Sequence, residues 1–377
     1  MPLVFPVAKF PKAVKKMRNF YTMKKDAPLV QKEFGFYSLE RWVKEGHIKE
    51  GDDLRPIFGF DEEAIVYCDG LSWCEAPFVP AFKEEILEDR GEHELVRDFA
   101  GRHVLYFKGR RSGFMPEYVT HPVTDRDSWE RNIKWRLDKD TAGRFDNTPK
   151  HLTWVKEMAG KGAHVCQNLI GGYMYLRSLV GPEGIMYMVY DDPRLVHDMM
   201  KTWFELADAV IACHQGYVTL DELFMGEDIC YNHGPLISPD MMREFLFPYY
   251  QQLIMNIKRR QLDKGRRLYI QIDTDGDCRP VIPVYREIGM DYMSPFEVAS
   301  GCDVVEIRKQ YSELLIRGGI DKRELAAGKD AIDRMLERII PFMKEHGGYI
   351  PVCDHGVPEE VSFENYMHYR KRMMEYS

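Results

Sequence analysis

A regular alternation of short apolar segments and amphipathic segments occupies the chain after residue 190. Asp192 and Pro193 predict the N-cap and first turn of a long amphipathic helix, and Ser238 with Pro239 predicts another. Between such helices, five apolar segments are predicted as strands: Leu220–Met225, Leu268–Ile272, Tyr292–Ser294, Leu314–Arg317 and Tyr349–Val352. Strands that alternate with helices in this way build parallel βα units.

A closed barrel and an open doubly wound sheet both fit this alternation. An open dinucleotide-binding sheet usually carries a GxGxxG turn near its first strand, and the sequence contains none. We therefore predict an α/β fold of the (β/α)8 TIM-barrel type in a single domain, residues 1–377. Residues 1–100 are expected to form a helical or irregular N-terminal extension, and residues 101–377 the main part of the barrel.

Composition excludes several classes of protein. The 52 Lys and Arg against 60 Asp and Glu give a net charge of −8, which disfavours general nucleic-acid binding. The most apolar stretch, Leu169–Tyr190, contains Arg177, Pro182 and Glu183, so membrane insertion is not expected. No secretory signal is recognisable, and the eight cysteines are scattered without a CxxC pair. We expect a cytoplasmic protein with reduced thiols, and the sequence leaves a homo-oligomer open.

The N-terminal region carries the chain's one run of basic residues, from Lys9 to Lys25. It is interpreted as a solvated helix face or a mobile arm.

Polar and acidic residues follow each predicted strand, where the active site of a βα barrel lies. They are Glu227 and Asp228, Asp273 and Asp275, Glu297, Asp321, and the group Cys353, Asp354 and His355. An acid at such a position is often only the N-cap of the next helix. That structural interpretation is preferred for Asp303 and Asp321, each followed by Glu three residues later, and for Asp277 before a helix from Pro280.

The remaining residues are the candidates for catalysis. Asp273, Glu297 and His355 have no evident capping role, so we predict that they share one pocket at the C-terminal mouth, with Glu227 at its rim. For Glu227 a role in bonding backbone amides stays open. The chain contains no GxSxG, HExxH or GxxxxGK[ST] motif, which argues against serine-nucleophile chemistry and nucleotide hydrolysis.

Several strings carry a resemblance to a known family. The strings YIQIDTDGDCRPVIPVYREIGMDYMSPFEVASGCDVVEIRKQY, LLIRGGIDKREL and GGYIPVCDHGVPEEVSFENY resemble the uroporphyrinogen decarboxylase superfamily, in particular its corrinoid-dependent methyltransferase branch. The resemblance spans roughly residues 30 to 375 and implies a (β/α)8 barrel.

Zinc-dependent methyltransferases of this superfamily use an HxC pair, a later Glu and a Cys near the C-terminus. Gln271 and Asp273 stand at the HxC positions here, so the resemblance implies a zinc set of altered composition. The implied metal ligands are Asp273, Glu297, Cys353 and His355. The residues expected to bind substrate are Asp275, Arg177 and Tyr173.

The resemblance implies a methyltransferase that demethylates a small substrate, such as a methoxylated aromatic or a methylamine, and passes the methyl group to a corrinoid protein. Asp354, His355 and Gly356 do not have the spacing of the corrinoid-binding DxHxxG signature, so the corrinoid is expected on a partner.

Two alternatives remain. The first is a cofactor-independent decarboxylase of a tetrapyrrole or small carboxylic acid, which would need cations such as Arg177, Arg279 or Arg317 at the site. The Arg-rich segment that known decarboxylases carry is missing before residue 100. The second is a non-catalytic scaffold. A pocket lined by acids and His would favour the methyltransferase. Converging arginines would favour the decarboxylase, and a barrel mouth filled by side chains would favour the scaffold.

Overall fold

The computed structural model describes residues 11–109 and 116–376. Its strands, in chain order, are β1 Ile65–Cys68, β2 Glu85–Arg90, β3 His93–Arg97, β4 His103–Phe107, β5 Glu117–Thr120, β6 His164–Ile170, β7 Glu222–Gly226, β8 Cys230–Tyr231, β9 Gly234–Pro235, β10 Tyr269–Asp273, β11 Tyr292–Ser294, β12 Leu315–Arg317 and β13 Tyr349–Ile350. Seven of them form one parallel sheet in the order β1-β6-β7-β10-β11-β12-β13. The predicted parallel βα architecture is confirmed, whereas a complete eight-stranded barrel is not.

An extended segment, residues 31–37, bridges the two edge strands of this curled sheet. Near β1, the Asp61 amide donates to the Gln31 carbonyl at 2.8 Å. Beyond β13, the Tyr37 amide donates to the Val357 carbonyl at 2.8 Å, and Phe36 forms a parallel bridge with Val357. Residues that precede β1 thus contribute to the closing of the sheet.

The helices are α1 Pro11–Tyr21, α2 Leu39–Lys44, α3 Leu54–Phe58, α4 Arg126–Ser128, α5 Thr148–Gly160, α6 Gly172–Val180, α7 Pro182–Asp191, α8 Pro193–Gln215, α9 Pro239–Met241, α10 Phe247–Arg260, α11 Ile282–Arg286, α12 Val304–Gln310, α13 Lys322–Ala327, α14 Lys329–His346 and α15 Phe363–Glu375. π-helical turns occur at Trp129–Ile133 and Met242–Leu246, and 3₁₀ turns at Lys134–Leu137 and Val298–Ser300. No helix within the described ranges has the length and apolarity that a bilayer span requires.

Side-chain caps fix where the helices begin. The carboxylates of Asp192, Asp303 and Asp321 accept backbone N–H groups of the helices that follow them, as predicted. Asp277 instead accepts the Arg279 amide within the loop, and the next helix begins at Ile282 rather than at Pro280.

The prediction for residues 1–100 was wrong in one respect. Ile65–Cys68 is the first strand of the parallel sheet, paired in register with β6, so this region is more than an irregular extension. A four-stranded antiparallel sheet, β2-β3-β4-β5, also begins there and continues to Thr120.

Two cores lie on opposite faces of the parallel sheet. The larger one fills the space between the sheet and the outer helices. The smaller one lies inside the curl and includes Ile65, Cys166, Tyr292 and Leu315. The apolar face of α1 packs into its lower end, at the N-terminal ends of the strands.

The basic run from Lys9 to Lys25 is therefore only partly a solvated face. Its helix α1 buries Met17, Phe20 and Tyr21, and Lys9 lies outside the described residues.

Candidate active site

Asp273 is the last residue of β10 and lies at the C-terminal edge of the sheet. Its carboxylate accepts the hydroxyl of Ser294 on β11, and the Ser294 oxygen accepts the Gln271 amide at 2.8 Å. Burial raises the pKa of Asp273 to about 7, against the Ser294 hydrogen bond, which lowers it. The carboxyl is therefore shared between its neutral and charged forms near neutral pH.

His355 is held between an acid and a phenol. Its Nε2 lies 3.5 Å from Asp275 Oδ2, and its Nδ1 lies 3.5 Å from the Tyr37 hydroxyl. The Tyr37 ring stacks on the imidazole with centroids 5.8 Å apart. The hydrogen bond with Asp275 raises the pKa of His355, although desolvation opposes it. This arrangement favours an imidazolium that keeps a fixed orientation.

Asp228 faces the same region and forms an ion pair with Arg177 at 2.5 Å. Its backbone adopts a left-handed conformation, with φ of 41°, which a residue other than glycine rarely takes. Burial raises the pKa of Asp228, Arg177 lowers it and Asp275 raises it. Since Asp228 and Asp275 also raise the pKa of Asp273, the three carboxyl groups lie within electrostatic reach of one another.

Glu227 does not line a rim, contrary to the prediction of its position. It is fully buried and accepts the Tyr250 hydroxyl at 2.8 Å and the Tyr173 amide at 3.0 Å. Burial raises its pKa to about 7. A Cβ at Gly171 would lie 2.0 Å from Glu227 Oε2, so glycine is needed where α6 meets this carboxyl. Glu227 thus satisfies the start of α6, the alternative that the sequence left open.

Glu297 lies on the far side of the same loop cluster. It accepts the Gly276 amide at 2.9 Å and pairs with Lys322 at 3.1 Å. Lys322 and Glu297 both act electrostatically on His355, which links them to the site.

Comparison with known proteins identifies the family of this chain. A family model described as "Uroporphyrinogen decarboxylase (URO-D)" matches residues 112–376, well over half of the chain. The chain belongs to the uroporphyrinogen decarboxylase family. A curated uroporphyrinogen decarboxylase from Alcanivorax borkumensis is 25% identical over 190 residues, which are 47% of this chain and 48% of that protein. The chain thus aligns with about half the length of that relative.

A solved structure, a methyltransferase from Methanosarcina mazei, is similar in fold. The TM-score is 0.57 at 14% identity, and the match covers 97% of this chain and 98% of the other. The similarity supports the overall architecture along nearly the whole chain. Family and fold together indicate an enzyme of the uroporphyrinogen decarboxylase type.

A zinc centre of the kind the resemblance implied does not fit the described side chains as they stand. Within residues 11–109 and 116–376, no three His, Cys, Asp or Glu side chains lie close enough to hold an ion. Glu297 is held by Lys322, His355 by Asp275, and Cys353 is a buried thiol whose pKa is raised by desolvation. Zinc binding stays an untested prediction, and no chemical step below relies on it.

The predicted substrate-binding residues have different positions. Arg177 and Asp275 lie with Asp228, Asp273 and His355 at the C-terminal edge of the sheet, and these five residues are called here the charged cluster. Tyr173 is completely buried, and burial raises its pKa to about 12. Arg279 pairs with Asp277 at 2.7 Å and lies outside the cluster.

Sequence reasoning missed two members of the site. Tyr37 precedes His355 by 318 residues, so no local spacing could connect them. Lys322 follows the correctly predicted cap Asp321, and its position after a strand was the one available signal.

Proposed function

We propose that this member of the uroporphyrinogen decarboxylase family is a methyltransferase that removes a methyl group from a small substrate and transfers it to a corrinoid on a partner protein. The observation that carries the proposal is the cluster of Asp228, Asp273, Asp275 and His355 at the C-terminal edge of the sheet. Arg177, the arginine of this cluster, already has a carboxylate partner. A site built from acids and an imidazole suits proton transfer to a leaving group.

The chemistry needs such a proton. Ethers and amines lose a methyl group slowly because alkoxide, phenolate and amide ions are poor leaving groups. Asp273, with its pKa raised to about 7, retains a proton in a substantial fraction of molecules at neutral pH and would donate it to the departing oxygen or nitrogen. His355, held by Asp275 and Tyr37, would position or replenish that proton.

A cobalt(I) corrinoid would supply the strong nucleophile that no side chain offers. The sequence has no DxHxxG signature, so the partner is proposed to bring the corrinoid to the mouth of the sheet. The family membership and the fold shared with a methyltransferase support this proposal at the level of architecture.

Methyl transfer to reduced cobalamin tests the proposal. The purified protein is mixed anaerobically with cob(I)alamin and with methoxylated aromatics, methylamines or methyl thioethers, and the conversion of cobalt(I) to methylcobalt(III) is followed by absorbance. Turnover is expected with at least one class and not without the protein, and Asp273→Asn should reduce it. Failure with every class, repeated with corrinoid carrier proteins, would overturn the proposal.

A second candidate is a decarboxylase of a small carboxylic acid or a tetrapyrrole. The observation that favours it is Arg317, a cation inside the curl of the sheet that could hold a carboxylate. Release of carbon dioxide from a carboxylic acid without any corrinoid would decide for this reaction.

A further inference from the structure

The inside of the curled sheet contains accessible space. In β1, Ile65 belongs to the inner core and Val66 to the outer core. Since side chains alternate along a strand, Tyr67 is on the same face as Ile65 and its ring points inward. Even so, 38% of Tyr67 is exposed. Burial raises the pKa of its hydroxyl well above the usual value. The exposed part therefore borders an internal space, called here the lumen.

Arg317, the last residue of β12, enters the lumen. Its guanidinium lies over the Phe34 ring, 5.2 Å from the centroid. Its Nε is buried and has no hydrogen-bond partner, and the side chain makes no ion pair with a carboxylate of the described residues. The pKa of Arg317 is raised: desolvation lowers it, but Tyr292 on β11, Tyr67 on β1 and the carboxylates of Asp273 and Glu63 raise it by more.

A second cation lies two residues before Phe34, the ring that Arg317 covers. Lys32 belongs to the segment that bridges the sheet edges, and its ammonium is 4.0 Å from the Glu63 carboxylate. Desolvation lowers the pKa of Lys32; Glu63 raises it and Arg317 lowers it again, so the two cations repel each other.

Two adjacent cations inside a protein are costly unless an anion compensates them. Glu63 is 41% exposed, and its carboxylate lies 4.0 Å from Lys32 and accepts the Ile65 amide at 3.2 Å. Asp273 reaches Arg317 electrostatically without an ion pair and is partly protonated at neutral pH. No carboxylate of the described residues thus forms an ion pair with Arg317, whose side-chain partner is the neutral hydroxyl of Tyr292.

The walls of the lumen are aromatic. Phe34 and Phe224 are partly buried and pack against the inner core, and Trp73 meets Phe224 edge-on at 6.3 Å between ring centroids. Flat apolar walls around a guanidinium that has no carboxylate partner among the described residues suit an aromatic ring that carries an acidic group, because Arg binds a carboxylate through two parallel hydrogen bonds.

We propose that the methyl donor is an aromatic carboxylate, whose carboxylate binds Arg317 with support from Lys32 while its ring lies between Phe34, Tyr67 and Phe224. This inference rests on the proposed function and names the substrate class of the same site. The methylated group then points towards Asp273 and the mouth, where the partner's corrinoid would approach.

Binding measurements without corrinoid test it. Isothermal titration compares the 2-, 3- and 4-methoxybenzoates with the matching methoxybenzamides, which keep the shape and lose the charge. At least one benzoate is expected to bind about 10- to 100-fold more tightly than its amide, the usual range for a charge-assisted hydrogen bond. Equal binding of both series, or no binding of any benzoate, overturns the inference.

Variants locate the effect. Arg317→Gln should reduce benzoate affinity to that of the amide, and Arg317→Lys should retain a large part of it. Arg267→Gln is the matched control, since Arg267 is 65% exposed and pairs with Asp291 before the start of β11; its affinity should equal that of the wild type. If Arg317→Gln does not fold by circular dichroism, the comparison of benzoate with benzamide on the wild type still decides.

The two proposals fail separately. If anisole and methoxybenzoate donate their methyl groups with equal kcat/KM, the proposal of an aromatic carboxylate as substrate is wrong, and the proposed methyltransferase activity stands. If methoxybenzoate binds in an Arg317-dependent way but no methyl group is transferred to any corrinoid, the anion site is supported and the proposed methyltransferase activity is wrong.

Discussion

Two carboxyl groups near the site, those of Asp273 and Glu227, have a pKa raised to about 7 by burial. Their surroundings give them different tasks. Glu227 is sealed, with its oxygens accepting a tyrosine hydroxyl and a backbone amide. Asp273 is 8% exposed and borders the charged cluster. A raised pKa alone therefore does not identify the acid of a site. Of the two residues, Asp273 is the proposed proton donor because it belongs to the charged cluster, whereas Glu227 is sealed from it.

Asp273→Asn should lower kcat/KM about 100-fold or more, since loss of a general acid typically costs that much. For the wild type, kcat/KM should fall above about pH 7 as Asp273 loses its proton. The alkaline limb should disappear from the residual activity of the variant. An unchanged limb in Asp273→Asn would assign the titration to another group.

Stability should also respond to these two acids. Because their folded pKa exceeds the unfolded value of about 4, the folded state holds more protons between about pH 4 and pH 7. The free energy of unfolding should decrease as pH rises through that window and level off above it. Urea unfolding of Asp273→Asn should show a weaker decrease than the wild type, whereas Glu360→Gln, a change at an exposed acid, should show the same decrease as the wild type.

Tyr37→Phe tests how His355 is held. The variant keeps the ring that stacks on the imidazole and loses the hydroxyl 3.5 Å from Nδ1. We expect a several-fold loss of kcat at an unchanged midpoint of thermal unfolding. His355→Ala should abolish turnover with the fold intact, and full activity would exclude the imidazole from the mechanism.

At the scale of elements, β7 ends where another loop approaches very closely. A Cβ on Gly226 would lie 2.3 Å from the Trp73 carbonyl oxygen, and backbone cannot yield as a flexible side chain does. Gly226→Ala should therefore reduce the free energy of unfolding by about 1–3 kcal/mol, as overpacking usually does. Gly160→Ala is the control: nothing lies within 4 Å of its added Cβ, and in α5 alanine should be neutral or stabilising.

The sequence identified those elements whose determinants are local. The strands of the parallel sheet after residue 190 were located to within two residues because each is a short apolar run between recognisable caps, whereas the two-residue strands β8 and β9 were not predicted. Strand β6 was missed because polar Gln167 and Asn168 interrupt it; Gln167 is buried, with His214 Nδ1 2.7 Å from its Oε1. Only the tertiary structure supplies the partner that makes a buried glutamine acceptable.

The site was predictable to the extent that it depends on strand ends. Asp273, Asp275 and His355 follow strands and were expected, and the structure brings Asp275 within 3.5 Å of His355. The burial of Glu227 could not be predicted, because it depends on Tyr250 from α10. Tyr37 and Lys32 come from a segment that fills the gap between the sheet edges, a position that no local pattern encodes.

On the scale of the whole molecule, two cores share one sheet, and α1 joins the inner core from outside. Phe20 is 4% exposed and meets the Tyr292 ring edge-on at 5.2 Å. Phe20→Ala should destabilise the protein by about 3–5 kcal/mol, the usual cost of removing a buried phenylalanine. The control is Phe99→Ala, where the ring is 40% exposed and the loss should be small. Equal effects of the two changes on urea unfolding would argue against an inner core closed by α1.

The packing of α1 against strands that come much later in the chain also affects folding during synthesis on the ribosome. Tyr292, a neighbour of Tyr21, is translated 292 − 21 = 271 residues after it. At about 5–20 residues per second, the Tyr292 part of the binding surface of α1 follows roughly 15 to 55 seconds later. During that interval its apolar face is exposed to chaperones and to other nascent chains. Production in a host should therefore gain more from slower initiation or added chaperone than from a faster elongation rate.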